Sequence, residues 1–235
     1  MKTDYVGHDR AYQRKRDDPE FAGWMTYDDL AEELQLTWQP LIEKTAFPQQ
    51  GRLLELGCGA GNISLYLAQQ GYAVVGVDIA PTAIAWAREN AAQAGSKATF
   101  QAGDVLTLAE IDDDSFDIVL DGRCFHCIIG RDRARFLQSA QRVLKPGGIL
   151  TICTMCNQIP ATDYFQENFD PQSRCVMHGD LATRYIGDSN KILQAVMQTG
   201  FRLLQVEVVP PRHPEDLADL QLIATKIGKH SANIP

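Results

Sequence analysis

Residues 52–62, Arg-Leu-Leu-Glu-Leu-Gly-Cys-Gly-Ala-Gly-Asn, constrain this chain more than any other stretch. Leu53 to Leu56 is an apolar run interrupted only by Glu55, the pattern of a buried parallel strand. Gly57, Cys58, Gly59, Ala60 and Gly61 then make a turn almost bare of side chains. Glycine there permits unusual backbone angles and lets a ligand approach the main chain. Ile63, Tyr66 and Leu67 recur at helical spacing, which predicts a helix from near Asn62. Strand, glycine turn and helix form the first half of a nucleotide-binding βαβ unit, though an ordinary strand-to-helix turn has the same look.

The residues beyond this helix are more specific. Tyr72 to Val77 is a second apolar strand and ends in Asp78, about 20 residues past the turn, where a carboxylate can accept hydrogen bonds from ribose hydroxyls. A nicotinamide or flavin dinucleotide and S-adenosylmethionine are the two candidate ligands. A dinucleotide fold wants a third glycine for close helix packing, and Asn62 stands in its place. Asp104, after a predicted third strand at Ala98 to Gln101, has no task in a dinucleotide site. In an adenosine site its carboxylate can accept a hydrogen bond from the adenine amino group.

Glu55-Leu-Gly-Cys-Gly-Ala-Gly-Asn62, Val74-Val-Gly-Val-Asp78, Ala102-Gly-Asp104-Val and Arg142-Val-Leu-Lys-Pro-Gly-Gly148 together resemble the successive motifs of the class I S-adenosylmethionine-dependent methyltransferases. The resemblance covers roughly residues 50 to 155. It implies an α/β fold: a doubly wound, mostly parallel seven-stranded sheet with the last strand antiparallel and helices on both faces. It also implies S-adenosyl-L-methionine as cofactor, held by Glu55, Gly57, Cys58, Gly59, Gly61, Asn62, Asp78, Ile79, Asp104, Val105 and Asp121, with Trp24 closing from the N-terminal side.

The 235 residues suffice for one substantial core, divided here into an N-terminal helical segment, 1–48, and a core, 49–235. A net charge of −8 disfavours a nucleic-acid groove. No stretch is apolar enough to span a membrane, and the first ten residues carry no apolar signal region, so a cytoplasmic protein is expected. Six cysteines in such a chain read as free thiols.

Residues 1–20 hold five basic and five acidic side chains, the composition of a solvated tail. Tyr5, Tyr12, Phe21 and Trp24, spread through the same region, are costly to leave in a tail; in the resembling family this segment often folds over cofactor and substrate as a lid. Leu30, Leu34 and Leu41 share a helical face that Pro40 should break or kink. Pro81 opens and Gly95 closes another helix. The acidic stretch Glu110 to Asp117 reads as a solvated loop, and no metal site is expected. Phe116 to Leu120 is the fourth strand, followed by a helix over 131–144 with Phe136, Leu137, Ala140, Val143 and Leu144 buried and Arg131, Arg133, Arg135 and Arg142 solvated. Lys145-Pro-Gly-Gly148 should end that helix, and Ile149 to Thr154 is the fifth strand. Residues 155–187 show no period and read as an irregular insert covering a site. After a helix from Asp188 or Ser189 to Met197, strands at 201–209 and 220–227 are joined too tightly for a crossover and should pair as a hairpin.

Methyl transfer from a sulfonium needs alignment and dryness, and a base only if the acceptor arrives protonated. Candidate groups cluster in Asp121-Gly-Arg-Cys-Phe-His-Cys127, at the carboxyl edge of the sheet where ligands bind. His126 could take a proton, or could be a structural histidine. Asp121 could orient the cofactor or hold Arg123. The pairs Cys124/Cys127 and Cys153/Cys156 have zinc-like spacing, but residues three apart on a strand point to opposite faces, so at most one thiol of each pair faces the cleft unless the chain turns there. Small cysteines also pack well at crowded strand ends. Cys124 remains a candidate for a thiol-lined pocket, by similarity to arsenite methyltransferases, although their further cysteine motifs are missing. The leading reading is a methyltransferase acting on a small-molecule acceptor, with no nucleic-acid and no membrane partner. A thiol or metalloid methyltransferase, a dinucleotide oxidoreductase and a non-catalytic cofactor-binding partner subunit are the alternatives. A nucleic-acid enzyme is disfavoured because no Asn-Pro-Pro-Tyr signature comes after the fourth strand.

Overall fold

In a computed structural model, which describes Thr3 and residues 5–228, the strands assemble into a seven-stranded sheet. The side chain of Tyr5 and residues 229–235 of the expected core lie outside that description. The chain runs through α1 (Tyr5–Arg16), α2 (Tyr27–Glu33), a π-helical turn (Leu34–Trp38), α3 (Gln39–Ile42), β1 (Arg52–Leu56), α4 (Asn62–Gln69), β2 (Ala73–Asp78), α5 (Pro81–Gln93), β3 (Thr99–Ala102) and β4 (Phe116–Asp121). It continues through a 3₁₀ turn (Phe125–Cys127), α6 (Asp132–Val143), β5 (Leu144–Cys156), α7 (Asp163–Asn168), β6 (Phe169–Asp170), β7 (Cys175–His178), β8 (Leu181–Tyr185), α8 (Ser189–Gln198), β9 (Phe201–Val209) and β10 (Ala218–Lys226).

Sheet order is β3-β2-β1-β4-β5-β10-β9. The pairs from β3 to β5 are parallel, and β10 runs antiparallel to both β5 and β9. The reversal comes from chain length: residues 210–217 are too few for a helical crossover, so β9 and β10 close as a hairpin. The central strands are apolar on both sides because both faces are covered. One face holds Leu54, Leu56, Phe116, Phe136, Leu150 and Val196; the other holds Trp38, Leu53, Leu67, Ile84, Phe100 and Ile118.

The structure departs from the expected elements in several places. Of the two readings of the N-terminal segment, the solvated tail gives way to a helix, α1, tied to the core. Asp9 accepts from the Thr82 N–H at 2.9 Å, Arg16 pairs with Glu89 at 2.6 Å, and Asn62 Nδ2 donates to the Ala22 carbonyl at 2.8 Å. Residues 27–42 form one helix despite Pro40, because a π turn precedes the proline and rotates Trp38 and Leu41 into the core. Leu144 to Gly148 belongs to β5 rather than to the end of α6, where it forms a bulge between the Phe116–Leu144 and Ile118–Ile149 pairs. The insert is ordered: α7 and a three-stranded antiparallel sheet β6-β7-β8. Arg133 is not solvated. Its guanidinium lies between the rings of Phe125 and Tyr185, at 3.7 and 4.3 Å, and donates to the Phe125 and Ile128 carbonyls. Arg142 reaches the carbonyls of Thr107, Leu108 and Ile111 and ties down the acidic loop.

Three elements distant in sequence meet at Arg123. Its guanidinium donates to Glu33 of α2 at 2.7 and 3.1 Å and to Asp219 of β10 at 2.7 Å. All three side chains are largely buried. Removing one member of a buried ion cluster leaves the others uncompensated. Arg123→Ala is therefore expected to destabilise the protein by about 3–5 kcal/mol in urea unfolding. A loss under about 1 kcal/mol, the worth of an exposed ion pair, would show that the cluster does not hold these elements together.

Candidate functional site

The carboxyl ends of β1, β2, β3 and β4 open on one edge of the sheet, and backbone hydrogen bonds draw them together. The N–H groups of Gly57 and Cys58 donate to the Val77 carbonyl at 2.8 and 3.1 Å, and Gly122 donates to the Leu56 carbonyl at 2.9 Å. Gly57, Gly59 and Gly61 all have positive φ, 72°, 52° and 82°. A Cβ on Gly57 would collide with Cys124 Cβ, and one on Gly59 would collide with the Tyr12 hydroxyl. Only a turn without side chains fits between these neighbours.

Asp78 is buried and clamps this turn: Oδ2 accepts from Gly59 N–H and Oδ1 from Ala80 N–H, each at 2.9 Å. Burial pushes its pKa up, and the two N–H groups partly oppose the rise. Glu55 is wholly buried beneath the turn. Its Oε2 accepts from Ser64 Oγ, while Oε1 has no partner and leaves no room for a Cβ at Gly122. Burial pushes Glu55 up to about 8. Asp104 turns its Oδ1 to the Leu106 N–H at 2.8 Å, and Val105 lines the cleft beside it.

A cavity of about 160 Å³ runs along this edge. Its wall includes Gly57, Asp78, Ile79 and Val105, and also His126, Cys127, Ile128, Met155 and Arg184. Tyr12, Trp24 and Met25 close it from the N-terminal side. A second hollow of about 60 Å³ adjoins it, with Glu55, Gly59 and Asn62 in its wall. The Trp24 ring meets Tyr12 edge-on at 5.5 Å. These volumes fall below the roughly 300–1,000 Å³ of typical small-molecule sites.

The sequence-derived candidates are distributed unevenly. Gly57, Asp78, Ile79, Val105, Trp24, Cys124 and His126 line the large cavity. Cys58 turns its side chain away, against Gly76 and Phe100, so only its backbone is available to a ligand. Gly61 faces Phe100 and Ala87 and serves helix packing. The Asn62 amide holds the N-terminal cover through Ala22. Asp121 does not hold Arg123, which is paired with Glu33 and Asp219. Its Oδ1 instead accepts from the N–H groups of Cys124 and Phe125, both at 2.8 Å, and so sets the 3₁₀ turn; burial raises it to about 7.

That turn alters the cysteine geometry. Cys153 and Cys156, on the extended β5, pack on opposite faces, as strand alternation requires. Cys124 and Cys127 are separated by a turn, and both line the same cavity. No group of three or more metal-ligating residues occurs among the described residues. Burial raises Cys124 well above its usual range, Cys127 to about 12 and Cys156 to about 11, and pushes Cys153 up as well. Neutral thiols are poor ligands for a thiophilic substrate, so the metalloid reading gains no support. His126 is buried with Nδ1 unpartnered, and burial, reinforced by Arg184, Arg123 and Arg133, lowers it to about 3. The ring is neutral at physiological pH. Sequence reasoning missed Met25, Met155 and Arg184 as wall residues: the first sits in an aperiodic turn, the second at the end of β5, and the third reaches the cleft through the folding of the insert.

The residues present suit S-adenosylmethionine: a bare glycine turn, a buried acid at the end of β2, and an unpartnered carboxyl oxygen on Glu55.

The family described as a methyltransferase domain matches residues 49–203. A 2-heptyl-1-hydroxyquinolin-4(1H)-one methyltransferase of Mycobacteroides abscessus is 35% identical over 46% of this chain and 50% of its own length. Ribosomal RNA small subunit methyltransferase C of Alcanivorax borkumensis is 30% identical over 51% of this chain and 36% of its own. The chain thus spans half or less of these curated relatives. Among solved structures, the Burkholderia thailandensis 1,6-didemethyltoxoflavin-N1-methyltransferase, with its substrate and S-adenosylhomocysteine bound, superposes with a TM-score of 0.69 at 21% identity, covering 95% of this chain and 87% of that one. At that identity the likeness is one of fold.

Glu55 provides a pH test of the site without ligand. Its folded pKa, about 8, exceeds the ordinary carboxyl value of 4.5, so the folded protein keeps a proton that the unfolded chain releases between those pH values. The stability it contributes is present below about pH 4.5 and lost as pH rises through about 8. Thermal unfolding of Glu55→Gln, compared with the parent, should therefore show a relative gain for the variant that grows from about pH 5 to about pH 9. A pH-independent difference would mean that Glu55 is ionised throughout.

Proposed function

The chain belongs to the methyltransferase domain family, a family of S-adenosylmethionine-dependent enzymes, and we propose that it transfers a methyl group from that cofactor to a small-molecule acceptor. The observation that carries this reading is one cavity whose wall brings the glycine turn and Asp78 together with His126, Met155 and Arg184. When bound, S-adenosylmethionine supplies a methyl group already activated on a sulfonium. The chain's own residues must then bind, align and dry the site.

In this reading the glycine turn gives the ligand access to the backbone, and Asp78 accepts from ribose hydroxyls with the lone pairs that Gly59 and Ala80 leave free. Glu55 Oε1 offers a buried acceptor to a cationic amino group, which would draw its pKa down. Ile79 and Val105 provide apolar walls for an adenine ring. Asp121 acts through the backbone by holding the 3₁₀ turn that presents Cys124, His126 and Cys127. A neutral His126 can accept a proton at Nδ1, but its lowered pKa makes it a weak base, so an acceptor that arrives deprotonated suits the site better. A small acceptor is favoured over a nucleic acid because the cavity is small and the chain carries net charge −8. Among the described residues, no helix is long and apolar enough to cross a membrane.

Calorimetric titration should show binding of S-adenosylmethionine and S-adenosylhomocysteine but not NAD. Asp78→Ala should weaken that binding by roughly 1.5–3 kcal/mol, the range for hydrogen bonds to a charged group. Unchanged affinity in a folded Asp78→Ala variant would refute the ribose assignment.

We further read residues 3–26 as a lid. Tyr12 stands against Gly59, Trp24 against the cavity, and Lys15 lies 3.7 Å from the Phe21 ring centroid. Saturating S-adenosylhomocysteine should slow tryptic cleavage at Arg14-Lys15-Arg16. Equal rates with and without ligand would make the segment a fixed part of the fold.

A further inference from the structure

The cavity wall contains one cation that is paired with no group among the described residues. Arg184, on β8 of the inserted sheet, lines the wall and makes no hydrogen bond or ion pair through its guanidinium among those residues. The other charged groups in the wall are engaged. Arg123 is paired with Glu33 and Asp219, Asp78 receives Gly59 and Ala80, and His8 lies close enough to Asp78 to stabilise its ionised form. Arg133, just behind the wall, is sandwiched by Phe125 and Tyr185 and bonded to backbone carbonyls. Beside Arg184 stands His126, buried, with Nδ1 facing no protein partner among the described residues. The remaining surfaces there are apolar: Trp24, Met25, Ile128 and Met155.

A guanidinium with five donors and no acceptor recognises planar oxyanions, and recognises them best where water is excluded. His126, in the same wall, is held neutral by burial and adds no competing charge. Apolar walls around this pair suit a compact, flat body. Resting on the methyltransferase reading above, we propose that the acceptor is a small organic acid, its carboxylate or acidic oxygen seated by Arg184. Arg184 is then the residue that sets acceptor specificity. An acceptor that arrives as an anion also pairs with the charge that most strongly disfavours a proton on His126 after burial itself.

Matched acids and amides test this in the intact chain. Benzoate and 4-hydroxybenzoate, against benzamide and 4-hydroxybenzamide, are titrated into the protein with and without saturating S-adenosylhomocysteine. In the loaded protein at least one acid should bind about ten-fold or more tighter than its amide, the scale of one charge-assisted hydrogen bond. Arg184→Gln should erase that preference while leaving S-adenosylhomocysteine affinity and thermal stability unchanged, and Arg184→Lys should keep part of it. Equal or absent binding in every pair, or a preference that survives Arg184→Gln, overturns the proposal. A protein that fails to bind S-adenosylhomocysteine yet still prefers the acids through Arg184 would overturn the methyltransferase reading and leave this one standing.

Discussion

The site depends on one backbone contact, the approach of the β1–α4 turn to the end of β2. Gly57, Cys58 and Gly59 all donate toward β2, two to the Val77 carbonyl and one to the Asp78 carboxylate. This approach requires left-handed angles at three glycines and leaves no room for a Cβ at Gly57 or Gly59. A side chain at either point would push the turn away from β2 and release Asp78. The contact therefore joins fold and chemistry, because the hydrogen bonds that hold the strand ends together also orient the acid.

Around that contact the site is closed by parts of the chain far apart in sequence. The N-terminal segment is held by Asn62, Thr82 and Glu89. The Arg123 cluster ties the end of β4 to α2 and β10. The inserted sheet brings Arg184 over the cleft. Burial beneath these covers raises Glu55, Asp121 and the cysteines and lowers His126, so the interior favours neutral forms. Within this wall Arg184 makes no hydrogen bond or ion pair among the described residues.

Much of the scaffold was legible in local pattern. The strand at Leu53–Leu56, the helix from Asn62, the acid at the end of β2 and the reversed last strand all come from spacing and connection length. The errors share a cause. Arg133 looked solvated because it lies on the charged stripe of an amphipathic helix, yet Phe125 and Tyr185 from other elements enclose it. The insert looked irregular because its strands are short and bulged, which breaks the two-residue period. Strand spacing alone left open whether Cys124 and Cys127 share a face, because the 3₁₀ turn that brings them together is held by Asp121.

By itself, then, the amino-acid sequence determined the order of strands and helices, the bare turn and the acids beyond it, because each is set by residues within a few positions of one another. Only the tertiary structure decided which side chains share the cavity: Tyr12 against Gly59, Arg123 shielded by Glu33 and Asp219, and Arg184 facing His126 without a counterion among the described residues. These pairings join residues far apart in the chain. They depend on how whole elements pack, and no local period encodes that packing.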